Sequence, residues 1–130
     1  MRDKYGVLKE YFGHDSFREG QDRITDSLLS GRDVLGIMPT GAGKSICYQV
    51  PALMFEGVTV VVSPLISLMK DQVSALVQSG VAAAYINSSL THAQYLKVLQ
   101  NTKNGKYKII YVAPERLCAP AFLEICRRLS

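Results

Sequence analysis

No stretch of this chain approaches the roughly 20 consecutive apolar residues that a membrane-crossing helix needs, and the opening Met1-Arg2-Asp3-Lys4-Tyr5 lacks the apolar core of a signal peptide. Cysteine is scarce. Cys47, Cys118 and Cys126 are odd in number and show no C-x-x-C spacing, so neither a disulfide frame nor a zinc site is supported and buried, reduced thiols are expected. Low-complexity tracts, internal repeats and linkers are missing as well. These absences exclude a membrane span, a disulfide scaffold and a zinc module, and point to the cytoplasm or an equivalent compartment. What remains is the make-up of a globular protein, 48% apolar and 20% charged in 130 residues, which bounds it at one domain. A net charge of +4 and a pI near 9.0 give an anionic partner, nucleic acid included, only a mild preference.

The run Gly36-Ile37-Met38-Pro39-Thr40-Gly41-Ala42-Gly43-Lys44-Ser45 carries the chemistry. An apolar strand, Asp33 to Met38, feeds a glycine turn, and a helix from Ile46 to Met54 follows. Without Cβ atoms at Gly41 and Gly43, the backbone N–H groups from Gly41 to Ser45 are free to curl around phosphate oxygens, and the start of the helix adds the positive end of its dipole. Lys44 then reaches the β- and γ-phosphates, and the Ser45 hydroxyl is placed to ligate Mg²⁺. Thr40, Gly41, Ala42 and Gly43 complete the cradle. In the generic pattern G-x-x-x-x-G-K-[ST] the first glycine falls at Met38, a departure that moves the loop away from the small-GTPase pattern. A plain glycine turn with an exposed lysine is the competing reading. Strand before, helix after and Ser45 directly behind Lys44 favour the phosphate loop and a nucleoside triphosphate.

Around this loop, helical and β-type segments alternate. Val7, Leu8, Tyr11 and Phe12 form an apolar helical stripe ending at Gly13. A second helix, Glu19 to Leu29, presents Ile24 and Leu28 on one face and stops near Gly31. Val58 to Ser63 is β-branched and apolar on both faces, as a strand covered on both sides should be. Ile66, Met69, Val73, Leu76 and Val77 recur at helical spacing up to Gly80. Ala82 to Ile86 reads as a weaker strand. Thr91 with Gln94 forms a capping box opening a helix to about Asn101. Lys108 to Val112 is a buried strand, and Ala121 to Leu129 the last helix. This rhythm predicts an α/β fold with a parallel sheet flanked by helices.

Ligands of such sheets bind beyond the C-terminal ends of the strands. Those ends carry the phosphate loop, then Ser63-Pro64-Leu65-Ile66-Ser67-Leu68-Met69-Lys70-Asp71-Gln72, then Ala113-Pro114-Glu115-Arg116-Leu117. Hydroxyls, helix-start amides and cations suit a sugar-phosphate backbone held without reading bases. Lys70 and Arg116 fit a solvated helix surface equally well, and Ser63 and Ser67 fit helix caps. Asn87-Ser88, after the third strand, is a weaker candidate for the same surface, with a plain turn preferred. Cys47 and Tyr48 read as packing residues.

Four blocks together resemble the opening motifs of RecQ-type DNA helicases of superfamily 2: Tyr11 to Gln21, Met38 to Gln49, Val61 to Gln72 and Tyr111 to Leu117. They come in the family's order and spacing, and the resemblance covers essentially the whole chain. It implies a P-loop NTPase of RecA-like fold, with residues 1–130 the N-terminal part of the first helicase domain and 1–31 its helical adenine-recognition segment. By the same resemblance Gln21 pairs with adenine, Arg18 lies against one face of the base, and His14 stands where many relatives carry a stacking tyrosine. Lys44 and Ser45 are the catalytic pair, with ATP and Mg²⁺ as cofactors. Ser63, Pro64, Ser67, Lys70, Pro114, Glu115 and Arg116 are implied along a tracked single strand of DNA, held at a duplex junction.

The family's acidic Asp-Glu-Ala-His segment, its aromatic-rich coupling loop, its second RecA-like domain with an arginine finger, and its zinc-binding and winged-helix regions do not occur in these residues. The chain is therefore expected to be an incomplete fragment of a 3′-to-5′ helicase of DNA recombination and repair, binding nucleotide and DNA without turnover. It is also expected to self-associate through an exposed edge at Val34 to Met38. Two alternatives stay open: a non-hydrolysing nucleotide- and DNA-binding module, and a DEAD-box-type RNA helicase, the latter disfavoured by the Ser63 to Gln72 block.

Overall fold

A computed structural model describes residues 3–38 and 43–128, the side chain of Arg128 excepted. The chain divides into two compact units, Met1–Glu56 and Gly57–Ser130.

Among the described residues, three helices build the first unit. Helix α1 (Lys4–Phe12) starts where the Asp3 carboxylate accepts the Gly6 N–H at 2.9 Å, and it stops at Gly13, whose φ of 73° only glycine adopts cheaply. Helix α2 (Gln21–Leu29) follows Gly20, and helix α3 (Lys44–Met54) follows Gly43. The core joins Val7 and Leu8 of α1 to Val50 of α3, with Tyr11, Phe12, Phe17, Ile46, Leu53 and Met54 packed around them. The apolar stripe predicted for α1 is therefore the one that packs. In α2 the outcome differs from expectation: Gln21 and Thr25 are buried, whereas Ile24 and Leu28 are only partly so. Positions four apart share a helix face, and the face of α2 that is covered is the one bearing the two polar residues.

The strand expected at Asp33 to Met38 is not formed. Residues 32–38 carry no strand, none of the described strands pairs with them, and Leu35 and Ile37 are each 88% exposed. β-Type composition prepares a segment for a sheet, but a strand exists only where a neighbouring backbone takes its N–H and C=O groups.

The second unit is a parallel sheet with helices. Its elements are β1 (Thr59–Val62), α4 (Ile66–Gln78), β2 (Ala83–Ile86), α5 (His92–Lys103), β3 (Ile109–Val112), the single turn α6 (Pro114–Leu117), and α7 (Pro120–Arg128). Strand order is β1-β3-β2, with Val62, Val112 and Ile86 in one register row. All of β3 is fully buried, as its apolar run predicts for a central strand. β1 corrects the reading of a strand covered on both faces, because Val60 and Val62 are exposed on this sheet-edge strand. Ile86, Ile110, Val112, Leu99, Phe122 and Ile125 form the core between β2, β3, α5 and α7. Helix α4 buries Met69, Val73 and Leu76, while Val77 projects outward, since one residue further turns the helix by ~100°.

The Thr91 capping box is complete. The Gln94 N–H donates to Thr91 Oγ1 at 3.1 Å and the Thr91 N–H to Gln94 Oε1 at 2.9 Å. No helix among the described residues is long and apolar enough to cross a membrane.

Candidate functional site

In the first unit His14, Ser16, Arg18, Gln21, Gly43 and Ile46 line a cavity of about 200 Å³. The three residues assigned to adenine, His14, Arg18 and Gln21, thus come together beside the start of the helix that carries Lys44 and Ser45. Two elements achieve this. Gly20 ends the loop from α1 with φ of 87° and turns the chain into α2, and α2 packs along α3. His14 and Arg18 are exposed at the cavity and Gln21 is buried at its base.

Gln21 does more than line the cavity. Its Nε2 donates to the Gly43 carbonyl at 2.9 Å, and its Oε1 accepts the Arg18 backbone N–H at 2.8 Å. The carboxamide read as a base-pairing group is thus held at both ends by backbone. Glycine suits position 43 because its φ is 74°, and a Cβ there would lie 2.5 Å from Gln21 Nε2, so the carboxamide would have to shift. The Arg18 guanidinium lies 3.9 Å from that same point. Gly43 without a side chain, the Arg18 guanidinium and the start of α3 are groups chemically compatible with a phosphate chain.

Lys44, the first residue of α3, is exposed and makes no ion pair with any described residue. Its ammonium is therefore not committed to a described carboxylate. Ser45 is half-buried in the first turn of the same helix. Thr40, Gly41 and Ala42 lie outside the described residues. The packing role read for Cys47 and Tyr48 matches their burial, and burial pushes the Cys47 thiol up from its ordinary pKa.

In the second unit the sheet brings the other candidates to one rim. The Ser63 N–H donates to the Val112 carbonyl at 3.1 Å and the Ala113 N–H to the Ile86 carbonyl at 3.0 Å, so Ser63, Ala113 and Asn87 leave the three strand ends side by side. Pro64 is exposed next to Ser63, and Ser67 and Lys70 are exposed one turn apart on α4. Pro114 and Glu115 are exposed in α6, whose third residue, Arg116, is half-buried. Ser63 Oγ also accepts the Leu65 N–H at 3.2 Å, a local turn bond rather than the helix cap expected as its alternative, since Leu65 is the N-cap of α4 and no side chain caps that helix.

Asn87 belongs to the turn. It is fully buried, its Nδ2 reaches Met69 Sδ at 3.5 Å, and its Oδ1 accepts the Ser89 N–H at 2.9 Å. One neighbour of the rim was not foreseen. The Arg116 guanidinium stacks over the Tyr95 ring, 5.3 Å from its centroid, a contact between α5 and α6 that no spacing in the sequence announces. Equally unannounced is the engagement of Gln21, whose partners lie three residues before it and 22 after it.

The profile of the DEAD/DEAH box helicase family matches residues 18–129. The chain is 52% identical over 125 residues to the ATP-dependent DNA helicase RecQ of Bacillus subtilis, covering 95% of this chain and 21% of the relative. It is 50% identical over 119 residues to RecQ of Pasteurella multocida, covering 92% of this chain and 19% of that protein. With the ATP-dependent helicase wrn-1 of Caenorhabditis elegans it shares 40% identity over 130 residues, 98% of this chain and 12% of the relative. The chain thus spans about a fifth, or less, of the length of these relatives.

Proposed function

This chain belongs to the DEAD/DEAH box helicase family, and from that premise we propose that it is the leading, nucleotide-binding part of an ATP-dependent 3′-to-5′ DNA helicase of RecQ type. The observation that carries the reading is the Gln21–Gly43 bond. It joins the residues assigned to the base and the helix assigned to the phosphates at one cavity within a single compact unit. His14 and Arg18 would flank the purine. Gln21 would exchange its two backbone bonds for the adenine edge, which favours adenine over guanine by donor–acceptor pattern. Lys44 neutralises charge on the β- and γ-phosphates, and the amides of the loop and of the first turn of α3 complete the cradle. Ser45 would hold Mg²⁺, which when bound offsets charge developing on the transferred phosphate. Sequence-independent DNA contacts are assigned to Ser63, Pro64, Ser67, Lys70, Pro114, Glu115 and Arg116, with single strands at duplex junctions as the ligand and recombination and repair in the cytoplasm as the setting.

These 130 residues contain no Asp-Glu-Ala-His segment to hold the metal from the opposite side, so turnover is assigned to a longer protein carrying them and only binding to the chain itself. The test is steady-state phosphate release stimulated by single-stranded DNA in that longer protein, with Lys44→Ala as its control. Activity should fall at least ~100-fold on substitution, as loss of a principal charge-stabilising group does; activity indifferent to Lys44 would overturn the assignment. Stimulation by RNA in place of DNA would move the reading to an RNA helicase. Phosphate release by the 130-residue chain that tracks Lys44 would refute the binding-only assignment.

A further inference from the structure

We infer that Tyr95 is a positioning residue for DNA binding, its ring holding the Arg116 guanidinium ordered and uncommitted for a phosphodiester oxygen. This rests on the reading of Arg116 as a DNA contact given above, and it adds a residue to which that reading gives no part. Arg116 lies in the single turn that follows β3, where its N–H donates to the Ala113 carbonyl at 2.9 Å. Tyr95 lies in the first turn of α5, behind the Thr91 cap, and its N–H donates to the Thr91 carbonyl at 2.9 Å. The Tyr95 ring packs against the core that contains Val112 and Phe122, as does Leu117, the neighbour of Arg116. Cap and core thus fix the ring. The long Arg116 side chain is the member of the pair with rotamer freedom to lose.

No carboxylate competes for that side chain. The sequence has no Asp or Glu from Gln72 to Pro114, so α5 brings none to this place. Glu115, adjacent to Arg116, is exposed, and no described carboxylate forms an ion pair with Arg116. Among the described residues the guanidinium has one side-chain partner, the Tyr95 ring, 5.3 Å from Cζ to centroid. A carboxylate would engage the charge of the guanidinium and its N–H donors together. A ring attracts the cation through its quadrupole and leaves the charge uncompensated. The result is a half-buried, restrained and fully charged fork in the turn that leaves the rim at Ala113. Such a fork gives up less freedom on meeting a phosphate than an unrestrained one. A lysine supplies the charge but not the plane. The Tyr95 hydroxyl has no hydrogen-bond partner among the described residues, so the face of the ring carries the role.

The experiment measures binding of a labelled oligothymidylate by fluorescence anisotropy over a range of salt, in the longer protein carrying these residues. Wild type is compared with Tyr95→Phe, Tyr95→Leu, Arg116→Ala, Arg116→Lys and the double variant Tyr95→Leu/Arg116→Ala, each with a thermal melt. Tyr95→Phe keeps the face of the ring and should bind as wild type does. Tyr95→Leu keeps apolar bulk against the core without the face, and its affinity should fall about threefold. Arg116→Ala should weaken binding about tenfold, as loss of one charge-assisted hydrogen bond does. It should also make the slope of log affinity against log salt shallower by about 0.7. Arg116→Lys should keep the wild-type slope and still lose about threefold. The double variant should bind no more weakly than Arg116→Ala, because the ring acts only through the guanidinium. Losses that add in the double variant, or wild-type affinity in Tyr95→Leu, would overturn the inference and reduce Tyr95 to a core residue. So would wild-type affinity in Arg116→Lys, which leaves the core untouched and decides the question should Tyr95→Leu not fold. Wild-type affinity and slope in Arg116→Ala would instead refute the DNA contact beneath the inference, so the two failures are told apart by which side chain is silent.

Discussion

Gly43 is the residue on which two requirements converge, a left-handed backbone and an empty Cβ position against Gln21. Gly43→Ala holds φ near 74° and adds a methyl where Gln21 Nε2 now stands 2.5 Å away, so the carboxamide must shift. The backbone term alone costs about 1–2 kcal/mol for an L-residue. The methyl also displaces the carboxamide from the Gly43 carbonyl. The expected outcome is a drop of several degrees in melting temperature together with ATP affinity reduced at least ~10-fold, since the substitution strikes both the fold and the site. Thermal melts and nucleotide titration check the two effects; a variant with wild-type melting and wild-type affinity would show that the bond between Gln21 and Gly43 carries little. In the sequence alone Gln21 reads as an exposed helix residue, and only the resemblance to the helicase motifs singles it out. Its bond from the Arg18 N–H is local, three residues back, but its burial and its bond to the Gly43 carbonyl were not legible, because that partner lies 22 positions on and arrives only when α2 packs on α3.

At the scale of elements, apolar cores join the helices and polar ties add to them. Lys4 in α1 pairs with Asp22 and, at 2.6 Å, with Asp26, both in α2, and its ammonium stands 5.0 Å from the Tyr5 ring and 5.6 Å from that of Phe17. Burial lowers the Lys4 pKa, but the hydrogen bonds and charges of Asp22 and Asp26 outweigh it, so the folded-state value lies above the ordinary lysine range. A raised value on a basic group means stability that is fully present below the unfolded-state pKa and is lost as pH climbs through and beyond it. Stability contributed by Lys4 should therefore be constant through the neutral range and fall only in strong alkali. Lys4→Met should cost about 1 kcal/mol at neutral pH, since both carboxylates are half exposed, and should flatten that alkaline limb in pH-dependent melts.

Helix α5 offers an independent case. Thr91→Ala removes the acceptor for the Gln94 N–H and should cost about 1 kcal/mol with nucleotide affinity unchanged, read by denaturant titration. This cap was legible from Thr91-x-x-Gln94 because both partners are three residues apart on one chain segment. The buried face of α2 was not, because its apolar residues pointed to Ile24 and Leu28 while the packing selected Gln21 and Thr25.

For the whole molecule the open question is where its β-type surface goes. Leu35 and Ile37 are largely exposed, and Val60 and Val62 lie uncovered on the edge strand β1. Segments of this kind, left without a pairing partner, recruit backbone from other copies. The 130-residue chain is expected to self-associate as its concentration rises, and size-exclusion chromatography with light scattering checks it: a clean monomer throughout would refute the expectation. Substituting Ile37→Lys and Val62→Lys together should shift the population toward monomer, since an edge charge opposes pairing.

What the sequence determined by itself are features whose partners are near neighbours on the chain or whose burial follows from an apolar run: the end of α1 at Gly13, the Thr91 capping box of α5 and the buried run of β3. What only the tertiary structure decided is which backbones meet. It left 33–38 outside the described sheet, turned the Gln21 carboxamide onto Gly43, set Met38 against Gly20, and laid Arg116 on Tyr95. The reason is physical. Local hydrogen bonds and helical periodicity follow from the geometry of a few consecutive residues, whereas a bond spanning 22 positions exists only when the packing of two helices brings its ends together.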